Sequence, residues 1–278
     1  MRSAIAVAIL LSSTGCVDII GAHVDGRYVE REEKRFTTTG KPDVSLWTFD
    51  GSIEIRPWDK SEVEVIVEKR GADKNAIADI AVNATQTDNR IEVKVEWPRH
   101  KGISFGFSKS AKLIVSVPAS SDILARSGDG SIDVERVAGK VELRSGDGSI
   151  QARDLAGDVS VQTGDGSITL DGKFGAVHAR SGDGSVRIHA APGTTAASDW
   201  DISTGDGSVT LELPDGFNAE LDAHTGDGHV EVHDLTLSNV TGEIRRNTVK
   251  GRLGSGGPVV RVRTGDGSIR LRRSSFSS

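Results

Sequence analysis

With 278 residues, 36% hydrophobic side chains, only 4% aromatic ones and 33 glycines, the chain is poor material for one large globular core. A net charge of −6 and a pI near 5.7 exclude a general nucleic-acid binder, because phosphate recognition needs a concentrated basic surface and no compact basic patch is visible. This composition suits a thin stack in which each layer buries a few Val, Ile, Leu and Ala residues against its neighbours.

Taken in chain order, Met1-Arg2, the apolar run at residues 4–11 and Ser12-Ser13-Thr14-Gly15-Cys16 read as a secretory signal over residues 1–15, ending at the single cysteine. The run is too short to span a membrane. Ser-Thr-Gly-Cys resembles a bacterial lipoprotein cleavage box, which implies that Cys16 is lipidated and tethers the mature chain to a membrane of the cell envelope. Ser13 departs from the leucine common in that box. Val17, in place of an aspartate, favours the outer membrane, and a soluble secreted form is the alternative. One cysteine forms no internal disulfide, so packing and hydrogen bonds must hold the exported fold.

Residues 16–42 read as a tether and lead-in strand, with the charge run Glu30-Arg31-Glu32-Glu33-Lys34-Arg35 as a solvated face. Residues 43–119 alternate in period two at Val44/Leu46, Ile53/Ile55, Val63/Val65/Val67, Ile91/Val93/Val95 and Leu113/Val115/Val117, which predicts strands. Residues 73–79 predict a short helix. This segment, carrying Trp47, Trp58 and Trp97, is expected to form a less regular N-terminal β cap.

Residues 120–273 are repetitive. A Gly-Asp-Gly core recurs at Asp129, Asp147, Asp165, Asp183, Asp206, Asp227 and Asp266, with the first four aspartates 18 residues apart and later gaps of 23, 21 and 39. The widest gap reads as holding a worn copy at residues 247–253, with Lys250 replacing the aspartate, so about eight rungs are expected. Three and five residues after each aspartate, and four and six before it, stand apolar residues such as Ile150/Ala152 and Leu143/Val141. Alternation places these on one inward face. Units this small cannot close a core alone, and stacking them predicts an all-β, parallel β-solenoid, about 40 Å long at 4.8 Å per rung. A β-sandwich of Asp-Gly hairpins is the rival, disfavoured because sandwich strands need not repeat their sequence.

The seven aspartates read first as turn residues, each capping its turn and followed by a glycine that tolerates positive φ. Stacked carboxylates repel, and Arg126, Arg144, Arg180 and Arg263, three residues before their aspartates, read as a compensating column. Calcium at the aspartates is the alternative, but one Gly-Asp-Gly per 18 residues lacks the tandem nonapeptide of calcium-binding solenoids. No cofactor is otherwise expected. His224, His229 and His233 lack a cysteine or fourth ligand and read as exposed histidines rather than zinc ligands. No nucleophile elbow, His-Glu-x-x-His or phosphate-cradling loop is present, so no catalytic residue is assigned.

The order Trp-Thr-Phe-Asp-Gly-Ser-Ile-Glu-Ile-Arg-Pro-Trp-Asp at residues 47–59, Leu-Ile-Val-Ser-Val-Pro at 113–118 and then repeated Gly-Asp-Gly-Ser-Ile units resembles the bacterial putative-adhesin family of β-solenoids of unknown function, over residues 44–272. The resemblance implies a non-enzymatic envelope protein presenting an extended surface to a protein or glycan partner. A solenoid enzyme acting on polysaccharide is one alternative. A structural or regulatory protein assembling through an open C-terminal rung that ends after Leu271 is another.

Overall fold

The computed structural model describes residues 20–24, 27–97, 109–240 and 247–274, with side chains from residue 28 onward. Cys16 and the signal lie outside the described residues. The fold is a stack of two-stranded rungs. In each repeat rung one strand leads into the Gly-Asp-Gly corner and one trails out of it, and equivalent strands of successive rungs pair in parallel, in register. The leading strands form one sheet and the trailing strands another, and their inward residues make a single core. Ile132, Val134, Val141, Leu143, Ile150 and Ala152 are at most 1% exposed. Each large aliphatic side chain so buried stabilises the stack by about 1.5–3 kcal/mol.

The rungs do not stack in sequence order. The first rung of the chain, Asp43–Thr48 and Ile53–Trp58, lies between the rung of Arg90–Glu96 with Ser110–Pro118 and that of Asp122–Ser127 with Ile132–Glu135. Residues 43–119 therefore contribute two rungs of the same stack. At the other end, Trp200–Thr204 and Val209–Leu213 pair with Val259–Thr264 and Ile269–Arg273, which pair in turn with Ala219–Thr225 and Val230–His233. In space the corner aspartates run 50, 129, 147, 165, 183, 206, 266, 227. The rung ending after Leu271, expected at the open end, is internal, and Leu271 is fully buried. The terminal trailing strand is Val230–His233, whose Val230 and Val232 are only partly covered.

Residues 247–253 are not a worn rung. Thr248–Leu253 is a strand antiparallel to Ala219–Thr225, closing the end of the leading sheet, and Lys250 lies beside Asp222 at 3.5 Å, away from the aspartate column. Antiparallel strands close the other end: Ala81–Thr87 on Arg90–Glu96, and Glu62–Gly71 on Ser110–Pro118. Arg27–Thr37, expected as a tether with a lead-in strand, is an eleven-residue strand on Glu62–Gly71. Its charge run pairs across that junction: Arg31 and Arg70 both bind Glu68, whose residue is 2% exposed, and Arg35 binds Glu64 at 2.9 Å. Burial opposes the ionised Glu68 carboxylate, but the two guanidiniums hold its pKa below the usual carboxylate range. The predicted helix is one turn, Lys74–Ile77, N-capped by Asp73.

The 23-residue gap absorbs an extra loop, and there the core is aromatic. Trp200 is fully buried between Phe174 and Phe217, with ring centroids 6.2 and 5.3 Å away, and its Nε1 donates to the Gly175 carbonyl at 3.2 Å.

What sets the rung spacing is the corner. A Cβ on Gly130 would stand 2.1 Å from the carbonyl oxygen of Gly51, one on Gly148 2.3 Å from that of Gly130, and one on Gly166 2.2 Å from that of Gly148. These glycines are not in the positive-φ region, so the expected reason for them is replaced by another: each rung's backbone occupies the space of its neighbour's missing side chain. Gly216, by contrast, has φ of +74° and open space around it. Gly148→Ala is therefore expected to cost about 3 kcal/mol through a backbone clash, and Gly216→Ala only about 1 kcal/mol through φ strain, in denaturant titrations. Equal losses would rule out close stacking as the reason for the corner glycines.

Candidate functional site

Two surfaces repeat along the stack: the corner ridge with its aspartates and the outward face of the leading sheet. At the corner, the residue two before each aspartate turns a hydroxyl inward. Ser145 Oγ donates to the Gly130 carbonyl at 2.9 Å and accepts from Gly148 N at 3.0 Å. Ser127 and Ser181 accept in the same way from Gly130 and Gly184. Thr163, Ser181, Thr204, Thr264 and Thr225 donate to the second glycine of the preceding rung at 2.7–2.9 Å. The turn is thus capped by Ser or Thr. Among the described residues no side-chain hydrogen bond reaches Asp129, Asp147, Asp165, Asp183, Asp206, Asp227 or Asp266, all of which are exposed. The expectation that aspartate caps its own turn is corrected: the hydroxyl is nearer the orphan amide and is buried with it.

Nor do the arginines neutralise that column. Arg126 and Arg144 share Glu142, at 3.5 and 2.9 Å, and Arg263 binds Asp222 at 2.7 Å. Strand alternation turns these guanidiniums out over the sheet rather than toward the corner. No cluster of three or more potential metal-ligating residues occurs among the described residues. His229 and His233 both face Glu231, at 2.9 and 3.5 Å, while His224 meets Thr248, so the three histidines do not converge. One member of the ridge differs. Asp50, in the first rung of the chain, is half-buried; burial pushes its carboxyl above the ordinary range and the Asp129 charge pushes the same way.

On the leading sheet, the position three before the corner aspartate forms a row. In spatial order it reads Lys94, Trp47, Arg126, Arg144, Gln162 and Arg180, and continues through Ser203 and Arg263 to His224. Trp47 is half-buried, with Lys94 Nζ 5.2 Å from its ring centroid. Sequence reading placed the four arginines in this row, with Gln162, Ser203 and His224 at the other rungs, but missed Trp47, which stands three residues before Asp50, the same offset as Arg126 from Asp129. Lys94 could not be found that way, since Gly-Asp-Gly is absent from its rung. Two grooves open on the row. One, of about 480 Å³, is lined by Trp47, Lys94, Arg126, Leu124 and Glu92; the other, of about 380 Å³, by Gln162, Arg180, Ser203 and corner backbone.

The trailing sheet carries a different row, six residues after each corner aspartate: Arg56, Glu135, Arg153, Asp171, His189, Glu212, Arg272 and His233 in spatial order. Charge alternates from Arg56 to Asp171, and Arg272 follows Glu212. Arg56 meets Glu135 at 3.4 Å, and Arg153–Glu135, His189–Asp171 and Arg272–Glu212 are likewise contacts between adjacent rungs. This face is largely self-neutralising, whereas the leading face shares one Glu142 between two arginines and leaves Arg180 without an ion pair among the described residues.

A family profile matches residues 44–188 and, in a second alignment, 159–272. The chain belongs to the Toastrack DUF4097 family. Among solved structures it is similar to a putative cell adhesion protein from Clostridium sporogenes (14% identity, TM-score 0.39, covering 88% of this chain and 100% of that one). It is also similar to a putative adhesin from Bacteroides fragilis (11% identity, TM-score 0.41, 87% and 96%) and a putative lipid binding protein from Parabacteroides distasonis (12% identity, TM-score 0.30, 87% and 96%). No curated protein matches the chain.

Asp50→Asn tests the like-charge ridge. A folded-state pKa raised above the unfolded value means that wild type loses stability as pH rises through it, while the amide does not. The variant is therefore expected to unfold at a higher temperature at pH 7, by on the order of 0.5 kcal/mol after allowance for solvent screening. That gain should fade as the pH is lowered until the wild-type carboxyl is protonated, and an undiminished gain in acid would contradict the assignment.

Proposed function

We propose that the chain is a non-enzymatic, adhesin-like protein of the cell envelope whose leading sheet holds an extended anionic partner, an acidic glycan in the first instance. The observation that carries this reading is the coincidence of three features on one row: stacked cations in excess of their carboxylates, a half-buried tryptophan, and both grooves. The row is about 38 Å long at 4.8 Å per rung, a match for a linear polymer rather than a small molecule. Arginine suits carboxylate and sulfate groups because its planar fork donates two parallel hydrogen bonds. Trp47 supplies an apolar ring face beside the cations, where a sugar ring could stack. The net negative charge of the chain does not oppose this, since over this distance in physiological salt the local charge dominates.

Surface plasmon resonance with immobilised polygalacturonate, and with dextran as the neutral control, tests the reading. Binding to the acidic polymer should weaken as salt rises, and the Arg126→Ser/Arg180→Ser double variant should lose about tenfold, or about 1.4 kcal/mol. Trp47→Ala should weaken binding with little change in its salt dependence. Equal binding of both polymers, or shortening of the polysaccharide on incubation, would overturn it.

Envelope attachment rests on the lipobox-like Ser13-Thr14-Gly15-Cys16. Labelled palmitate should enter the protein expressed with its signal in a bacterial host and should not enter a Cys16→Ser variant. Label in both, or in neither, would remove the anchor at Cys16 from the proposal.

A further inference from the structure

The C-terminal rung, Val259–Thr264 with Ile269–Arg273, fills a slot between two rungs that precede it in the chain. The walls of that slot are acidic. Residues 199–215 contain Asp199, Asp201, Asp206, Glu212 and Asp215 and no lysine or arginine, and residues 219–234 contain Glu220, Asp222, Asp227, Glu231 and Asp234, again with no lysine or arginine. The rung between them carries Arg261, Arg263, Arg270, Arg272 and Arg273 against a single aspartate.

The register turns this composition into contacts. Arg261 lies between Asp201 and Asp222, and Arg270 between Thr210 and Glu231. Ion pairs reach both walls: Arg273 to Asp215 at 3.2 Å and Arg272 to Glu212 on one side, Arg263 to Asp222 at 2.7 Å and Arg270 to Glu231 at 3.1 Å on the other. Backbone hydrogen bonds and corner hydroxyls repeat the pattern, with Thr264 donating to Gly207 and Thr225 to Gly267. If the rungs stacked in sequence order, the two acidic walls would meet and Asp201 would face Asp222.

We propose that this slot is a strand-accepting site that takes the cationic C-terminal rung of a second copy of the chain as well as its own, so that two copies exchange rungs reciprocally. The rung's contacts with the two walls lie in residues 258–274, from the Pro258 carbonyl that accepts from Glu220 N to Ser274 N, which donates to the Leu213 carbonyl, and each is identical whichever copy supplies them. The connection to that rung is Gly254-Ser255-Gly256-Gly257-Pro258, with Gly254, Gly256 and Gly257 at φ of +56°, +80° and +150°. Such a segment turns back in one copy, and extended it reaches about 17 Å toward another. Exchange of an identical element changes little but the hinge, so the balance between the two forms is set by concentration and by hinge strain.

The test uses full-length chains in a Cys16→Ser background. Thr210→Cys and Arg270→Cys, on paired strands, are placed either together in one chain or separately in two chains that are unfolded and refolded as a mixture, then treated with a short bis-thiol reagent. The doubly substituted chain should cross-link internally at low concentration. The mixed single variants should give a covalent dimer that increases with protein concentration. Internal cross-linking with no mixed dimer at any concentration overturns the proposal, as does failure of the internal cross-link, which would mean that the rung is not in the slot.

A charge exchange gives an independent readout. One variant carries Arg263→Glu, Arg270→Glu and Arg272→Glu; the other carries Asp222→Arg, Glu231→Arg and Glu212→Arg. Each is mismatched within itself, but co-refolding offers the native slot a native rung and the reversed slot a reversed rung. A 1:1 heterodimer by native mass spectrometry, absent from either variant alone, is expected. No heterodimer on mixing counts against exchange.

Discussion

The structure depends on how closely one rung's corner backbone can approach the next. A parallel stack fixes strand spacing at about 4.8 Å. At the corner, where the chain turns and its amides and carbonyls point along the stack, any Cβ would meet a carbonyl oxygen. Glycine on both sides of the aspartate removes that obstacle, and the hydroxyl two residues before the aspartate then satisfies the buried polar groups that the approach creates. Gly164 N meets the Gly146 carbonyl, Gly182 N that of Gly164 and Gly205 N that of Gly182, each at 2.5 Å. The Ser/Thr-Gly-Asp-Gly motif is thus a solution to stacking, and aspartate is the member that faces water.

With spacing fixed at the corner, the two sheets are free to diverge on their outward faces. Over the rungs of Arg56, Glu135, Arg153 and Asp171 the trailing sheet alternates charge, so its ion pairs resist a slip by one rung as well as adding the small stabilisation of exposed pairs, about 0–1 kcal/mol each. The leading sheet does not alternate. Its cations repeat at one height, a pattern that raises the cost of the stack slightly and that the proposed anionic partner would offset. The two faces thus differ in charge pattern although the same 18-residue period underlies both.

Much of this was legible in the sequence. Period-two alternation placed nearly every core residue on the inward face, and the repeat identified the corner, because both follow from local geometry acting on side-chain type. The role of the corner aspartate was less legible: Asp-Gly has a strong local meaning as a self-capped turn, and only the stacked neighbour reveals that Ser or Thr does the capping. The partner of Arg126 was also hidden, since Asp129 lies three residues away in the chain whereas Glu142, sixteen residues away, stands one rung along the stack. Trp47 in the arginine row was readable by offset. Lys94 was not, because its rung has no Gly-Asp-Gly to count from.

Rung order was the least legible feature, and the reason is physical. Repeats that share a corner and an apolar pattern offer nearly equivalent slots, so neither the hydrophobic core nor the hydroxyl ladder can distinguish stacking in sequence order from the inverted arrangement at the ends. The discriminating term is charge on the outward positions. Residues 199–215 and 219–234 are acidic throughout, and the next repeat is rich in arginine; placing the cationic rung between the acidic ones separates Asp201 from Asp222 and satisfies Glu212 and Glu231 together. The worn repeat that sequence spacing suggested is the strand that makes this possible. Thr248–Leu253 runs antiparallel along Ala219–Thr225, carrying the chain back across the end of the stack before it enters the slot. At this end of the stack, electrostatics thus favours the observed order among strands that share a corner and an apolar pattern.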